Sequence, residues 1–239
     1  MTAGGRIGGA YAAEAGTTVK ALAAVRGQTM LARAIAAARG AGATKIAVVG
    51  GEAVRAACGD AVERVIADSV SGSENLLRAL RAWPSDEPLL LLTTDLPYVV
   101  AGSLRAFLGA APVDALAMPV GTPAQFEARF PGAPPFGITL GGERVVNGGA
   151  FLFPPGYADR IATLSTRFFE ARKSPWKMAA ILGLSLAARF ATRRLTIAAL
   201  EDEAPRRFGI AIKAVRNSAP ELCFDADTVE EFRYVVAHA

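Results

Sequence analysis

The segment from Leu89 to Pro97, Leu-Leu-Leu-Leu-Thr-Thr-Asp-Leu-Pro, constrains the fold more than any other part of the chain. Its unbroken apolar run lies between Pro88 and Pro97 and predicts a strand that is buried on both faces. Asp95 follows where that strand ends. In open α/β sheets, ligands bind in the crevice outside the carboxyl ends of the strands, so Asp95 is a candidate functional residue. An equally good interpretation is that Asp95 caps a helix beginning at Pro97.

The rest of the first half alternates short apolar runs with helical patterns. Helices are predicted over 30–39, with Thr29 as the cap, over 73–82, with Ser73 as the cap, and at 52–58 and around 104–108. Strands are predicted at 45–49, 62–67, 89–94 and 114–118. This alternation predicts an α/β fold in which a mainly parallel sheet is flanked by helices.

The two ends and the middle of the chain differ from this pattern. Residues 1–18 are rich in Gly and Ala and predict a loop, and 136–146 predicts a hairpin around Gly141-Gly142. The segment from 157 to about 200 has a helical pattern interrupted by Pro175 and Gly183. Strands are predicted at 150–153, 209–216 and 221–224, and a closing helix at 229–237. We predict one domain over residues 1–239, with 120–205 as an inserted hairpin and helical section.

Histidine and cysteine usage excludes several classes of site. The only histidine, His238, is the penultimate residue, which argues against catalytic triads and histidine-rich metal sites. Cys58 and Cys223 lie far apart without metal-ligand spacing and are expected to be buried free thiols, as in a reducing cytoplasm. Acids, bases and metal ligands must therefore come mainly from Asp, Glu and Lys.

The charge and hydropathy patterns limit the classes of binding partner that are expected. The net charge is +4, but the basic residues are scattered and aromatic residues are sparse, so small anionic substrates are expected and nucleic acid is not. The apolar stretch 178–188 is shorter than the roughly 18 residues that a spanning helix requires. The Gly-rich beginning lacks the apolar region of a signal peptide. We expect a cytoplasmic protein with no membrane partner.

Four separate elements together describe a site for a nucleoside triphosphate. They are Gly4-Gly5 with Arg6, then Lys20, then Asp95, and finally Asp225 or Asp227. Backbone amides of a glycine loop approach phosphates closely, Arg and Lys neutralise their charge, and carboxylates from two segments can hold Mg²⁺. Each element alone also has a plain explanation, as a mobile tail, a surface charge or the cap of the last helix. Their order along the chain favours the site.

These motifs resemble a known family. Thr2-Ala3-Gly4-Gly5-Arg6, Val19-Lys20-Ala21-Leu22 with Gly27-Gln28-Thr29-Met30-Leu31, Thr94-Asp95-Leu96-Pro97 and Asp225-Ala226-Asp227-Thr228 are similar to the ordered signature of GT-A-type nucleotidyltransferases. The most similar branch is the NTP-transferase group of molybdenum-cofactor guanylyltransferase. The resemblance covers nearly the whole chain and is weaker from about 120 to 215. It implies a nucleotide-diphospho-sugar transferase-like fold with 120–205 on the acceptor side.

The resemblance also implies roles for individual residues. It places Gly4, Gly5, Arg6 and Lys20 on the triphosphate, with Arg6, Lys20 and Asp95 as the catalytic set. It assigns Asp95 and Asp227 to Mg²⁺, with Asp225 as the less favoured late ligand. Gly72, Glu74 and Asn75 take the place of a base-contacting loop. Asn147-Gly148-Gly149 corresponds to a segment of the acceptor pocket, although a turn before a strand explains it equally well.

The implied activity is transfer of a nucleoside monophosphate from an NTP to a phosphorylated small molecule, with release of pyrophosphate. A sugar-1-phosphate nucleotidyltransferase and a catalytically silent nucleotide-binding protein are the alternatives. The family has a central apolar strand directly before the glycine loop, whereas only Met1, Thr2 and Ala3 precede Gly4 here. The resemblance therefore predicts that much of the first strand is missing, either through a start codon assigned too late or through true loss.

Overall fold

The computed structural model describes residues 1–84, 86–156, 158–171 and 174–238. Its helices are α1 (Gly9–Ala15), α2 (Met30–Gly40), α3 (Glu52–Cys58), α4 (Gly72–Leu80), α5 (Ala101–Ala110), α6 (Pro123–Arg129), α7 (Ala158–Ala171), α8 (Pro175–Ala191), α9 (Ile197–Phe208) and α10 (Val229–His238). Its strands are β1 (Ala24–Val25), β2 (Gln28–Thr29), β3 (Ala47–Val49), β4 (Arg64–Ile66), β5 (Leu89–Leu92), β6 (Leu116–Gly121), β7 (Ile138–Leu140), β8 (Glu143–Asn147), β9 (Ala150–Phe153) and β10 (Ile212–Arg216).

The main sheet has six strands and is largely antiparallel. Among the described residues its order is β5-β9-β6-β8-β7, with β10 beside β6; the β10–β6 pair is parallel and the other paired neighbours are antiparallel. The prediction of a mainly parallel sheet is therefore wrong for this sheet, while the α/β class holds. The reason is β9, which enters between β5 and β6 and runs antiparallel to both, with Leu91 opposite Phe151 and Ala117 opposite Leu152.

Parallel strand pairing is present in the first part of the chain. Strands β3 and β4 are parallel, and Thr2 forms parallel bridges to both Val49 and Thr93. The Ala3 amide donates to the Val49 carbonyl at 2.8 Å, and the Thr94 hydroxyl donates to the Thr2 carbonyl at 2.8 Å. Residues 1–3 thus connect β3 to β5 and place the glycine loop directly after the point where the strands end.

A cavity of about 410 Å³ lies beside this connection. Met1, the residues 45–47 and the whole of β5 contribute to its walls. Residues 1–3 are the part of the chain that lies between β3 and β5, so the pairing that they make is short.

Helix α2 shows how local sequence produces the elements around the site. The Thr29 hydroxyl accepts a hydrogen bond from the Ala32 amide, as expected of an N-cap, and α2 ends at Gly40. Its buried positions recur at three and four residues and contact the core from one side. Helix α4 is also present as predicted, but Ser71 caps it in place of Ser73.

Several elements differ from the sequence-based expectations. Helix α1 lies within the predicted loop at 1–18, and residues 220–222 form a 3-10 turn where a strand was predicted at 221–224. The segment from 157 forms α7, α8 and α9, and α8 is kinked at Gly183, whose φ is +75°. Tyr157, at the predicted start of this segment, lies outside the described residues. The boundaries of the inserted section stay a prediction.

Within the described ranges, no helix combines the length and hydropathy that a membrane-spanning helix needs. Both cysteines are free and buried, as expected.

Candidate active site

A cavity of about 1200 Å³ opens where β5 and the connection at 1–3 end. One part of its wall carries the glycine loop and charged side chains, and another part is apolar. The predicted residues that line it are Gly4, Gly5, Arg6, Lys20, Gly72, Asn75 and Asp95. The fold therefore gathers predicted residues from distant segments around one space, since Gly4 and Asp95 are 91 positions apart in the sequence.

The glycine loop approaches its neighbours closely. A Cβ atom on Gly4 would lie 2.9 Å from the Asn75 Nδ2 atom and 3.0 Å from the Asp68 Oδ2 atom, so a side chain there would displace both. The Gly5 carbonyl accepts a hydrogen bond from the Lys20 amide at 3.0 Å. The Arg6 guanidinium lies 3.7 Å from Asp68 and is more than half exposed. The loop therefore presents backbone and a cation to the cavity.

Lys20 brings the two predicted metal-binding carboxylates together. Its ammonium group donates to Asp95 Oδ2 at 2.7 Å and also to Asp227 Oδ1. The Lys20 side chain is 11% exposed, whereas the Asp227 side chain is 63% exposed and, among the described residues, is not part of the cavity lining. The Ala226 amide donates to the Asp95 carbonyl at 3.0 Å, which fixes the two acidic segments side by side.

The capping interpretations of both aspartates are contradicted. The helix after Asp95 is α5, which begins at Ala101 with Val100 as its cap, so Asp95 caps no helix. At α10 the hydroxyl of Thr228 accepts from the Glu231 amide at 3.2 Å, which gives Thr228 the capping role. The Asp95 and Asp227 carboxylates therefore have no capping role, and both contact Lys20.

Burial and charge shift the proton equilibria of this cluster. Burial by itself would lower the pKa of Lys20, but the charges and hydrogen bonds of Asp95 and Asp227 outweigh it and raise that pKa. Lys20 is thus a permanent cation. Burial, and then the charges of Asp227 and Asp95, raise the pKa of Asp225 to about 7. A carboxyl that resists ionisation is a weaker ligand, which agrees with the preference for Asp227.

The three residues predicted for the base-contacting loop differ in their contacts. The Asn75 amide group accepts from the Ser69 amide at 2.7 Å and donates to the Ser69 carbonyl at 2.9 Å, so it holds the loop in shape. Gly72 lies on the cavity wall at the start of α4. Glu74 pairs with Arg78 at 3.2 Å and is not among the residues that line the cavity.

Sequence reasoning missed Asp68, which lines the cavity beside Gly4 and has a side chain only 16% exposed. The available signal was its position, because Asp68 follows β4 as Asp95 follows β5. Sequence reasoning also missed the apolar part of the wall, whose residues had been interpreted only as strand and helix interiors.

The segment Asn147-Gly148-Gly149 does not line this cavity among the described residues. A Cβ atom on Gly149 would lie 2.2 Å from the Thr93 hydroxyl, and one on Gly148 would lie 2.4 Å from the Leu222 carbonyl. These glycines therefore let the chain pass close behind the end of β5. Their predicted contact with an acceptor stays a prediction.

The described side chains could supply only some of the ligands that a divalent cation needs. Within the described ranges, no three His, Cys, Asp or Glu side chains form a metal cage. Two carboxylates nevertheless converge on one cation, the Lys20 ammonium, and the buried Asp95 Oδ1 atom has no hydrogen-bond partner in the described part of the chain. An oxygen in that position fits a cation whose remaining ligands come from substrate phosphates or water.

The model of the MobA-like NTP transferase domain matches residues 4–171. The chain belongs to this family. It is therefore a nucleotidyltransferase, as its motifs predicted, and the matched range contains the glycine loop, Lys20 and Asp95. The match ends before Asp227, so the role of that residue in this NTP transferase rests on its contact with Lys20.

Solved structures agree with the fold. A hypothetical transferase from Thermus thermophilus is 27% identical, with a TM-score of 0.82 and 96% of each chain covered. A nucleotidyl transferase from Methanothermobacter is 20% identical, with a TM-score of 0.56 over 99% of this chain and 94% of that one. A Mycobacterium tuberculosis protein in complex with manganese is 19% identical, with a TM-score of 0.52 over 100% and 96%. No curated protein sequence matches.

Proposed function

We propose that this NTP transferase moves a nucleoside monophosphate from an NTP to a phosphorylated small molecule and releases pyrophosphate. The observation that carries the proposal is the cluster of Lys20, Asp95 and Asp227 beside the glycine loop. Transfer of this kind requires alignment and charge neutralisation more than a side-chain nucleophile. The cavity supplies both without histidine.

The glycine loop and two cations bind the triphosphate in this proposal. Gly4 and Gly5 line the cavity, and backbone amides of such a loop can approach phosphates closely. Arg6 is exposed enough to turn toward a phosphate, while Lys20 is held in place by its two carboxylates. Together they orient the α-phosphorus toward the acceptor and neutralise charge that develops on the leaving pyrophosphate.

Asp95 and Asp227 are the residues that would hold Mg²⁺. Bound there, the ion would neutralise phosphate oxygens and help to align the attacking and leaving groups. The unpartnered Asp95 Oδ1 atom supports this assignment. A protein of the same fold forms a manganese complex, which supports use of a divalent cation. Asp225, whose pKa burial raises to about 7, would be only partly ionised near neutral pH and therefore a weaker ligand than Asp227.

The wall formed by Asp68, Ser69 and Gly72 is the proposed base-binding side. Asp68 is the polar side chain that faces the cavity here, because Asn75 is committed to Ser69. A carboxylate accepts hydrogen bonds and offers none, so this wall favours a base edge that carries donors. Asn75 would then contribute to base binding indirectly, because it holds the loop that carries Ser69 in place.

The direct test is a pyrophosphate-release assay. Each common NTP is combined with Mg²⁺ and a panel of phosphorylated acceptors, with Asp95→Asn as the inactive control. We expect release that requires the acceptor, the metal and Asp95. Calorimetry with the same NTPs serves as the counter-measurement. Tight nucleotide binding without release from any acceptor would instead identify a silent nucleotide-binding protein.

A further inference from the structure

The cavity continues from the charged cluster to a wall of apolar side chains. Six residues form this wall: Leu76, Leu91, Leu116, Phe151, Phe153 and Ile161. All six belong to one hydrophobic cluster, with three buried members and three packed against them. They come from α4, β5, β6, β9 and α7, so the wall is built on regular elements.

Strand geometry makes the charged and apolar parts continuous. Successive side chains of a strand alternate between faces, so Leu91 and Thr93 project to the same side. Leu91 is paired with Phe151 across the β5-β9 ladder, and Phe151 and Phe153 share a face of β9. A second molecule with its phosphate near Asp95 has room to extend along these rings, on a side other than the one proposed for the base.

The charged side chains of the cavity pair with one another. Arg6 contacts Asp68, and Lys20 contacts Asp95, so these four residues surround the glycine loop. Phosphates and a nucleotide base have partners there. The apolar wall carries no polar side chain among its described residues, and hydroxyl groups held against it would lose their hydrogen bonds to water.

We propose that the acceptor of this enzyme carries an apolar or aromatic body next to its phosphate, and that this wall binds it. The inference rests on the proposed function, since it assigns the second substrate of the same site. It separates the acceptor from a sugar phosphate, whose ring hydroxyls need partners that the wall does not offer. Contact with Phe151 and Phe153 suits a flat ring in particular.

Equilibrium binding tests the acceptor class without any turnover. 1-Naphthyl phosphate and glucose 1-phosphate are titrated into the protein with Mg²⁺ and without NTP, and naphthyl fluorescence or calorimetry gives each Kd. We expect naphthyl phosphate to bind at least about tenfold more tightly, since it removes a large apolar surface from water. Equal affinities, or tighter binding of glucose 1-phosphate, would overturn the proposal.

A variant locates the binding. Phe151→Ala should weaken naphthyl phosphate about tenfold and leave the Kd of the NTP unchanged. Phe190→Ala, which removes an exposed ring on α8, is the matched control and should change neither. Leu76→Asn repeats the test from α4 in case Phe151→Ala does not fold. Unchanged naphthyl phosphate binding in a folded variant would also overturn the proposal.

The two proposals fail separately. If no acceptor supports pyrophosphate release but naphthyl phosphate still binds in a Phe151-dependent way, the apolar site stands and the transfer reaction does not. If release occurs with sugar phosphates and naphthyl phosphate does not bind, the reaction stands and the acceptor class does not.

Discussion

The Lys20 ammonium donates a 2.7 Å hydrogen bond to the Asp95 carboxylate across 75 positions of sequence. The same ammonium contacts Asp227, so one cation joins two acidic segments. A bound divalent ion would share these carboxylates with Lys20, because the ion and the ammonium attract the same oxygens. Lys20 therefore shapes the site whether or not a metal is present.

Replacement of Asp95 by Asn should abolish turnover while the fold remains. The amide keeps the size of the carboxylate but removes the charge that would bind Mg²⁺. We expect pyrophosphate release to fall at least about 100-fold. The melting temperature and the circular dichroism spectrum check the fold. Near-normal release by this variant would refute the metal-binding role of Asp95.

Replacement of Lys20 by Met should destabilise the metal-free protein. The substitution leaves Asp95 partly buried without its cationic partner, at a cost of about 3 kcal/mol in the free energy of unfolding. Added Mg²⁺ should restore part of that loss if the two aspartates bind it. Urea titrations in EDTA and in Mg²⁺ measure both effects. Lys177→Met, on the exposed surface of α8, is the control and should be neutral in both buffers.

Replacement of Gly4 by Ala should weaken nucleotide binding. The new Cβ atom would lie 2.9 Å from Asn75 Nδ2 and 3.0 Å from Asp68 Oδ2, so these side chains or the loop must shift. A displacement of this order costs tenfold to about 100-fold in a positioned site. Gly8→Ala is the matched control, because a Cβ atom there meets nothing within 4 Å. Calorimetry with NTP and Mg²⁺ measures the Kd of the nucleotide for each variant. Equal Kd values for Gly4→Ala and Gly8→Ala would contradict the role of the close contacts at Gly4.

Stability of the metal-free protein should depend on pH through Asp225. Burial, followed by the charges of Asp227 and Asp95, raises the pKa of Asp225 from 3.8 to about 7. Between these values the folded protein holds a proton that the unfolded chain has released. The contribution of Asp225 to stability is therefore present at low pH and is lost as the pH rises through 7.

Asp225→Asn should remove this dependence and make the protein more stable than the native chain at pH 8. Urea unfolding at pH 5 and pH 8 in EDTA tests the expectation. Asp202→Asn, an exposed change on α9, is the control. The same pH dependence in Asp225→Asn as in the native chain would show that another group is responsible.

The parts of the site that were predictable have local signals. Asp95 follows a strand marked by four leucines, and Gly4-Gly5 and Lys20 lie within the range that the family model matches. The structure brings these residues to one cavity. Family membership and the transferase activity were confirmed, while the individual roles of the residues remain predictions.

The parts that failed depend on long-range pairing. The parallel prediction assumed that consecutive strands become neighbours, but β9 enters between β5 and β6 from the middle of the chain. The pattern of apolar and polar residues in a strand does not show which distant strand it pairs with. The apolar wall was missed for the same reason, because Leu116 and Phe151 have the same sequence pattern whether a cavity or a side chain covers them.

The bridge at Thr2 makes the glycine loop sensitive to partial opening of the molecule. The loop is anchored through a segment that pairs with Val49 and Thr93 over very few residues. Segments held by few hydrogen bonds open at a lower free energy than the global unfolding transition. The Ala3 amide should thus exchange its proton with solvent earlier than amides of β6. A bound triphosphate would slow that exchange, so substrate occupancy would reinforce this short junction between β3 and β5.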